Sequence, residues 1–403
     1  MSGAWRDGNR VELLINGEQF YPRVLAAIAD ARHEVLLETF ILFEDKVGCA
    51  LQQALIDAAR RIPRVEITVD GYGSADLSAD FVAHMVDAGV QVHVFDPHPR
   101  VFGLRAHLFR RLHRKMLVID GERAFIGGLN FSADHLRDFG PMAKQDYAVD
   151  VRGPVVADIR DAALGTLAQV TPVGPSSPAT PPCGPSSIRL AIRDNQRHRD
   201  DIETQYLKAI RAARQRLVLA NAYFFPGYRL IHELRNAARR GVEVSLILQG
   251  QPDLPWARGF SRLLYNYLMR DGVAIHEYVR RPMHGKVALA DHNWATVGSS
   301  NLDPLSLSLN LEANLIIRDI DFNKRLHRHL ERLMTHHCRQ VTQQRLLRGH
   351  WWRGPVIFLY FNLLRYFPAI AGWLPAHRPE LASIPGPPAG RRCKQPQERE
   401  HSS

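Results

Sequence analysis

The sequence predicts an α/β protein made of two duplicated α/β sandwich halves, with one active site at the pseudo-twofold interface between them. Three observations carry this. A short polar pattern occurs twice at a constant offset, apolar strands alternate with helical stretches in the same order around each copy, and a Pro/Ser-rich stretch lies between the copies.

The first copy is His113-x-Lys115-x4-Asp120, followed by Gly127-Gly128-x-Asn130. The second is His284-x-Lys286-x4-Asp291, followed by Gly298-Ser299-x-Asn301. A single His-x-Lys-x4-Asp arises by chance at about one start position in ten thousand. Here the same offset of 171 residues holds from His113/His284 through Asn130/Asn301, which marks an internal duplication. One strand histidine among the 19 in the chain would be ordinary packing; the duplication singles out His113 and His284.

On a strand, side chains two apart share a face, so each His and Lys would point the same way. Met116 to Ile119 is apolar, a polar segment from Asp120 to Arg123 follows, and Ala124 to Ile126 is apolar again. That reads as a hairpin. The second copy repeats it with Val287 to Ala290, the turn Asp291-His292-Asn293, and Trp294 to Val297. The returning strand brings Asn130 or Asn301 back to the end where His and Lys stand.

This convergence suits displacement at phosphorus in a diester, which needs a nucleophile, an acid for the leaving group and fixed positive charge around the non-bridging oxygens. Two such sets supply all three without a metal or other cofactor. A neutral imidazole attacks and becomes a phosphohistidine; a protonated one gives its proton to the departing alkoxide. Lys115 and Lys286, with the Asn130 and Asn301 amides, would hold the phosphate, although Gly and Asn at these places also fit plain turn chemistry. Asp120 and Asp291 complete the catalytic motifs, but their turn positions favour fixing the hairpins over touching phosphate.

Early in each half, helix-like Ala26 to Arg32 and Ala209 to Arg214 precede the strands Val35–Leu37 and Leu217–Leu219. Further strands are expected at Val65–Asp70 and Val242–Leu248. The expected units are residues 1–165, a linker at 166–188 whose Pro/Ser-rich part is Thr171 to Ser187, a second half at 189–340, and a tail at 341–403. The chain opens without a hydrophobic leader.

With 52 Lys and Arg against 41 Asp and Glu, the net charge is +11, which implies an anionic partner but does not choose between nucleic acid and anionic lipid. Phe102 to Arg111 interleaves apolar side chains with arginines on the way into His113. It fits stacked bases, phosphates over acyl chains, or a solvated basic loop. The tail discriminates better. Trp351 to Pro375 is aromatic and apolar but is interrupted by Asn362, Arg365 and Pro368, which suits a segment lying in the headgroup region better than a spanning helix. A helix packed on the second half is the alternative, and the polar end from Pro385 is expected to be disordered. Cys49, Cys183, Cys338 and Cys393 have neither zinc nor disulfide spacing, and His336-His337-Cys338 reads as a helix end.

The paired motifs resemble the signature of the phospholipase D superfamily. Asp200 to Glu203, Asn221 to Tyr228, and the run from His284-Gly285-Lys286 through Asn301 to Glu312 are similar, more narrowly, to bacterial cardiolipin synthases of the B type. The resemblance spans nearly the whole chain. It implies transfer of a phosphatidyl group from one phosphatidylglycerol to the terminal hydroxyl of a second, with release of glycerol. It also implies that His113 is the nucleophile and His284 the acid/base, and that an acidic residue downstream of each motif orients a catalytic histidine. The matching candidates are Asp146 and Glu312, which differ in type and in spacing. An anionic phospholipid substrate, a peripheral place on the bacterial inner membrane and no nucleic-acid partner follow from the same resemblance. A phospholipid-hydrolysing phospholipase D and a nucleic-acid phosphodiesterase use the same histidines and stay open.

Overall fold

The computed structural model describes residues 3–97, 111–170, 180–222, 224–250, 264–342 and 380–385. The first half runs β1 (Arg6–Ile15), α1 (Asn16–Ala29), β2 (Glu34–Thr39), α2 (Lys46–Ala59), β3 (Arg64–Asp70), α3 (Ala79–Asp87), β4 (Gln91–Phe95), β5 (Met116–Ile119), β6 (Arg123–Gly127), β7 (Tyr147–Arg152) and α4 (Val155–Leu167). The second half repeats the plan with β8 (Ser186–Arg193), α5 (Asp201–Ala212), β9 (Arg216–Asn221), α6 (Tyr228–Arg239), β10 (Glu243–Gln249), β11 (Ala274–Tyr278), β12 (Lys286–Ala290), β13 (Trp294–Gly298) and β14 (Glu312–Arg318). The long helix Ile320–His337 and two short strands, β15 (Cys338–Gln340) and β16 (Leu381–Ser383), follow.

The strands form one 16-stranded sheet in the order β15-β11-β10-β9-β12-β13-β14-β8-β1-β7-β6-β5-β2-β3-β4-β16. The order reads the same outward from the central β8–β1 pair in either direction, which is the duplication in three dimensions. In each half three strands are parallel (β2, β3, β4 and β9, β10, β11), and the motif hairpin adds antiparallel to the first of them. Every residue of β2 is buried, as a parallel strand covered on both faces requires.

Three apolar clusters fill the layers. One lies between the sheet and α1, α2 and α3, built on Phe20, Leu51, Leu55, Ile67 and Met85. Its counterpart packs α5 and α6 with Ile202, Tyr206, Leu230 and Leu246. The third joins the halves: Met116, Val118, Ile126 and Val149 meet Val218, Val287, Val297 and Leu315, with α4 and the helix Ile320–His337 contributing Ile159, Leu164, Leu326 and Leu330. Burying both sets of inner faces against each other ties the halves into one body.

The hairpins lie where the sequence places them, with β5 spanning the apolar run Met116–Ile119. Linker and tail differ from expectation. Within 166–188, α4 continues to Leu167, β8 begins at Ser186, and Cys183 and Gly184 donate backbone hydrogen bonds to the Gly8 carbonyl. Within the 341–403 tail, β16 returns to pair with β4, Leu381 opposite Phe95. Residues 171–179 of the linker, the basic stretch Phe102 to Arg110, the aromatic run Trp351 to Pro375 and the polar end from Gly386 lie outside the described residues. His336 and His337 end the long helix and Cys338 opens β15, as the helix-end reading has it.

Candidate active site

His113 and Lys115 lie just ahead of β5, and Lys286 opens β12 two residues after His284. Lys115 follows His113 onto the same side, and its ammonium donates to the His113 carbonyl at 2.8 Å. Arg114, between them, points the other way to Glu38 at 3.0 Å and to Thr166 on α4. Lys286 likewise donates to the His284 carbonyl and stands 3.1 Å from His284 Nδ1. Two backbone bridges bring these segments across the interface. Leu112 pairs with Leu311, and His113 N–H donates to the Leu311 carbonyl at 2.9 Å; Gln145 pairs with Met283, and His284 N–H donates to the Gln145 carbonyl at 2.8 Å.

These bridges exchange the acids. His113 Nδ1 lies 3.0 Å from Glu312 of the second half, and His284 Nδ1 lies 2.5 Å from Asp146 of the first. Both carboxylates are fully buried. With Nδ1 engaged on each ring, Nε2 is the nitrogen left for substrate. Glu312 also accepts the Ser299 hydroxyl, and Asp146 accepts the Tyr147 backbone N–H at 2.8 Å. Asn130 and Asn301 each follow the end of a returning strand, β6 or β13, by three residues, and both are buried. Asn130 Oδ1 accepts the Ile41 N–H at 3.2 Å, while Asn301 Oδ1 is buried with no hydrogen bond among the described residues.

Asp120 and Asp291 sit at the far ends of the hairpins. Both take left-handed backbone, φ 53° and 50°. Asp120 accepts the N–H groups of Arg32, His33 and Glu34, and Asp291 those of Arg214, Gln215 and Arg216. Each carboxylate fastens its hairpin to the start of β2 or β9 and does not reach the histidines.

The profile described as "Cardiolipin synthase, PLD-like domain" matches residues 24–140 and 206–334. Cardiolipin synthase B of Salmonella typhi is 53% identical over 393 residues, covering 96% of this chain and 95% of that protein. Cardiolipin synthase B of Escherichia coli K12 is 52% identical over 395 residues, with the same coverage. The chain belongs to the phospholipase D-like cardiolipin synthase family. Cardiolipin synthase A of Pseudomonas putida is 31% identical over 83% of this chain and 70% of its own length. Among solved structures, the phosphatidylserine synthase of Haemophilus influenzae superposes with a TM-score of 0.65 at 14% identity, covering 88% of this chain and 92% of the other, which shows a shared fold.

In this family member the two halves differ electrostatically. Burial pushes His113 down to about 4, although Glu312 pulls it up. Burial, with Lys286 next, pushes His284 well below an ordinary imidazole. Asp146 is pushed up to about 6 by burial against the pull of Lys286. Burial also raises Glu312, but His113, Lys115 and the Ser299 hydroxyl together outweigh it and leave this carboxyl below its ordinary value. The directions thus differ between the pairs: Glu312 is held below its ordinary value opposite His113, whereas burial favours a proton on Asp146 opposite His284. Burial depresses both ammonium groups, Lys286 to about 8 and Lys115 well below the usual lysine.

The wall beside His113 is aromatic. Phe40 lies edge-on at 5.0 Å, with the Lys115 ammonium 5.1 Å from its ring centroid. Arg111, the last residue of the basic stretch and the one described, stacks 4.1 Å over Tyr72. Asp70 accepts the Leu112 N–H at 2.7 Å and so anchors the backbone just before His113.

Sequence reasoning missed His135. It is fully buried, its ring edge-on to His284 at 5.5 Å, and the position 171 residues on is Ser306, so no repeated histidine flags it. His135, Asp146 and His284 bring three possible metal-ligand atoms within 4.8 Å of one another. The Asp146 and His284 atoms are spent on each other, and Lys286 adds positive charge 3.1 Å from His284 Nδ1, so the donor set suits an anion better than a cation.

Proposed function

We propose that this protein is a cardiolipin synthase acting on two molecules of phosphatidylglycerol. The observation that carries the reading is the crossed arrangement of two imidazoles, each with Nδ1 on a buried carboxylate of the opposite half and a lysine beside it, in a chain about half identical to curated cardiolipin synthases over nearly its full length. In the first step His113 Nε2 attacks the donor phosphorus, the bond to the head-group glycerol oxygen breaks, and His284 Nε2 gives that oxygen its proton. Glycerol departs and leaves a phosphatidyl group on His113. In the second step His284 takes the proton from the terminal hydroxyl of the acceptor, that oxygen attacks phosphorus, and the P–N bond breaks to release cardiolipin.

The difference between the carboxylates supports these roles. An ionised Glu312 suits a neutral nucleophile, and a proton held by the Asp146–His284 pair suits an acid. Lys115, Lys286 and the Asn130 and Asn301 amides are the groups for the non-bridging oxygens, since each ammonium has further N–H donors beyond its carbonyl contact. Asp120 and Asp291 hold hairpins and take no part in the chemistry.

The net charge of +11 suits an anionic phospholipid surface. No helix among the described residues is long and apolar enough to cross a membrane. Peripheral association with the bacterial inner membrane, through basic and aromatic surface, is the placement we propose.

The test is incubation of purified protein with phosphatidylglycerol in mixed micelles and mass spectrometry of the products. Cardiolipin with stoichiometric glycerol is expected. Phosphatidic acid alone would make the protein a phospholipase D, and an unchanged lipid would turn attention to nucleic-acid diesters.

A further inference from the structure

His135 is buried at the centre of the site and the mechanism above does not use it. Its Nε2 accepts the backbone N–H of Asn130 at 3.3 Å, so the proton of the neutral ring belongs on Nδ1. That Nδ1 is buried, has no hydrogen-bond partner among the described residues, and faces Asp146 Oδ2 at 3.7 Å, the same oxygen that meets His284. The second half shows what Asp146 lacks. Ser299 gives Glu312 a hydroxyl donor, but the position related by the 171-residue offset is Gly128, where a Cβ would lie 2.3 Å from Asp146 Oδ1. The stretch from Asn130 to Asp146 is five residues longer than that from Asn301 to Glu312, and the position related to His135 by the same offset is Ser306, so the second half has no histidine there.

We propose that His135 is a positioning residue for the acid half of the reaction: its Nδ1–H serves Asp146 as the donor that Ser299 supplies to Glu312, and it holds that carboxylate in line with His284. This rests on the phosphatidyl transfer proposed above. The 3.7 Å contact needs less than about 1 Å of approach to become a hydrogen bond. The same ring ties Asp146 to the backbone of Asn130, one of the phosphate-holding groups, so occupancy of the phosphate site and orientation of the acid are linked. The groups facing His135 are Asp134 at 3.7 Å, which Lys144 neutralises, Asp146, His284 and, farther off, Lys115 and Lys286; from α1, Gly17 lies against the His135 carbonyl and the Tyr21 hydroxyl donates to the carbonyls of Asn130 and Ser132. Burial pushes His135 down to about 3, so it acts as a neutral donor across the working pH range.

The experiment compares His135→Leu, which removes the donor, with His135→Asn, whose amide nitrogen falls near the place of Nδ1. Consumption of phosphatidylglycerol, whatever the product, is followed from pH 5 to 8.5. For His135→Leu we expect kcat to fall by roughly tenfold or more with KM within about twofold, and the high-pH limb of kcat to move upward, because a carboxylate short of a donor binds the shared proton more tightly. His135→Asn should return to within about threefold of the parent and restore the limb. Equal loss in both variants with the parental pH profile would reduce His135 to packing, and parental kcat in His135→Leu would overturn the proposal outright. Nitrogen-15 histidine spectra of the parent, with His135 assigned by its absence in the variants, should show the proton on Nδ1; a proton on Nε2 would also overturn it. If the parent consumes no phosphatidylglycerol, the transfer reading fails while the tautomer still decides the role of His135.

Discussion

A neutral imidazole whose Nδ1 rests on an ionised carboxylate is a poised nucleophile, and one that shares a proton with a carboxyl raised to about 6 is a poised acid. His113→Ala and His284→Ala should each abolish turnover while circular dichroism and thermal melts remain those of a folded protein. Glu312→Gln and Asp146→Asn should each cost on the order of 10² to 10⁴ in kcat, and a leaving group that needs no acid should tell them apart. With a p-nitrophenyl phosphatidyl ester, release of nitrophenolate should recover in Asp146→Asn and His284→Ala but stay low in Glu312→Gln and His113→Ala; the reverse pattern would exchange the roles of the histidines. The pH dependence follows from the same groups. For the free enzyme, kcat/KM should rise through about 4 as His113 loses its proton and fall above about 6 as the Asp146–His284 pair loses its own. KM should climb through about 8 as Lys286 becomes neutral and stops holding phosphate. The histidines and lysines were legible in the sequence because a duplicated linear pattern carries them. The exchange of Asp146 and Glu312 between halves was not, because spacing along one chain does not say which histidine a downstream acid will meet.

At the level of elements, each motif hairpin is held at its turn by a left-handed aspartate that caps three backbone N–H groups of the neighbouring strand's start. One of the three donors in each set, the N–H of Glu34 or of Arg216, is part-buried and costs about 1–3 kcal/mol if left unpaired, and an alanine at positive φ adds strain. Asp120→Ala and Asp291→Ala should therefore lower the melting temperature by several degrees, while kcat per folded molecule stays within a few-fold of the parent; a loss of activity as deep as that of His113→Ala would place these aspartates in the chemistry after all. The hairpins were readable because largely apolar runs of three to four residues flank a polar turn. The edge strands β15 and β16 were not, since three residues are too short to show an alternating pattern and their pairing is fixed by backbone hydrogen bonds to β11 and β4.

For the molecule as a whole, the active site exists only where the halves meet, because neither half contains a histidine together with the acid that orients it. The halves are also joined by the β8–β1 pair, by the apolar core between their inner faces, and by β16, which crosses from the second half's side of the sequence to the outer edge of the first. The covalent link between α4 and β8 is thus one connection among several. A protease site introduced between Gly174 and Pro175, cut after folding, should give two fragments that co-elute on size exclusion and keep most of the parental activity, since the area buried between them far exceeds what a nick in the chain removes. Each fragment made alone should be inactive and prone to aggregation, because the inner face of its sheet, with Val118, Ile126 and Val149 on one side or Val287, Val297 and Leu315 on the other, would be open to water. Pairing a first-half fragment that carries His113→Ala with an intact second-half fragment should restore nothing, because both histidines serve one shared site; turnover in that mixture would mean that the second half carries a complete site of its own.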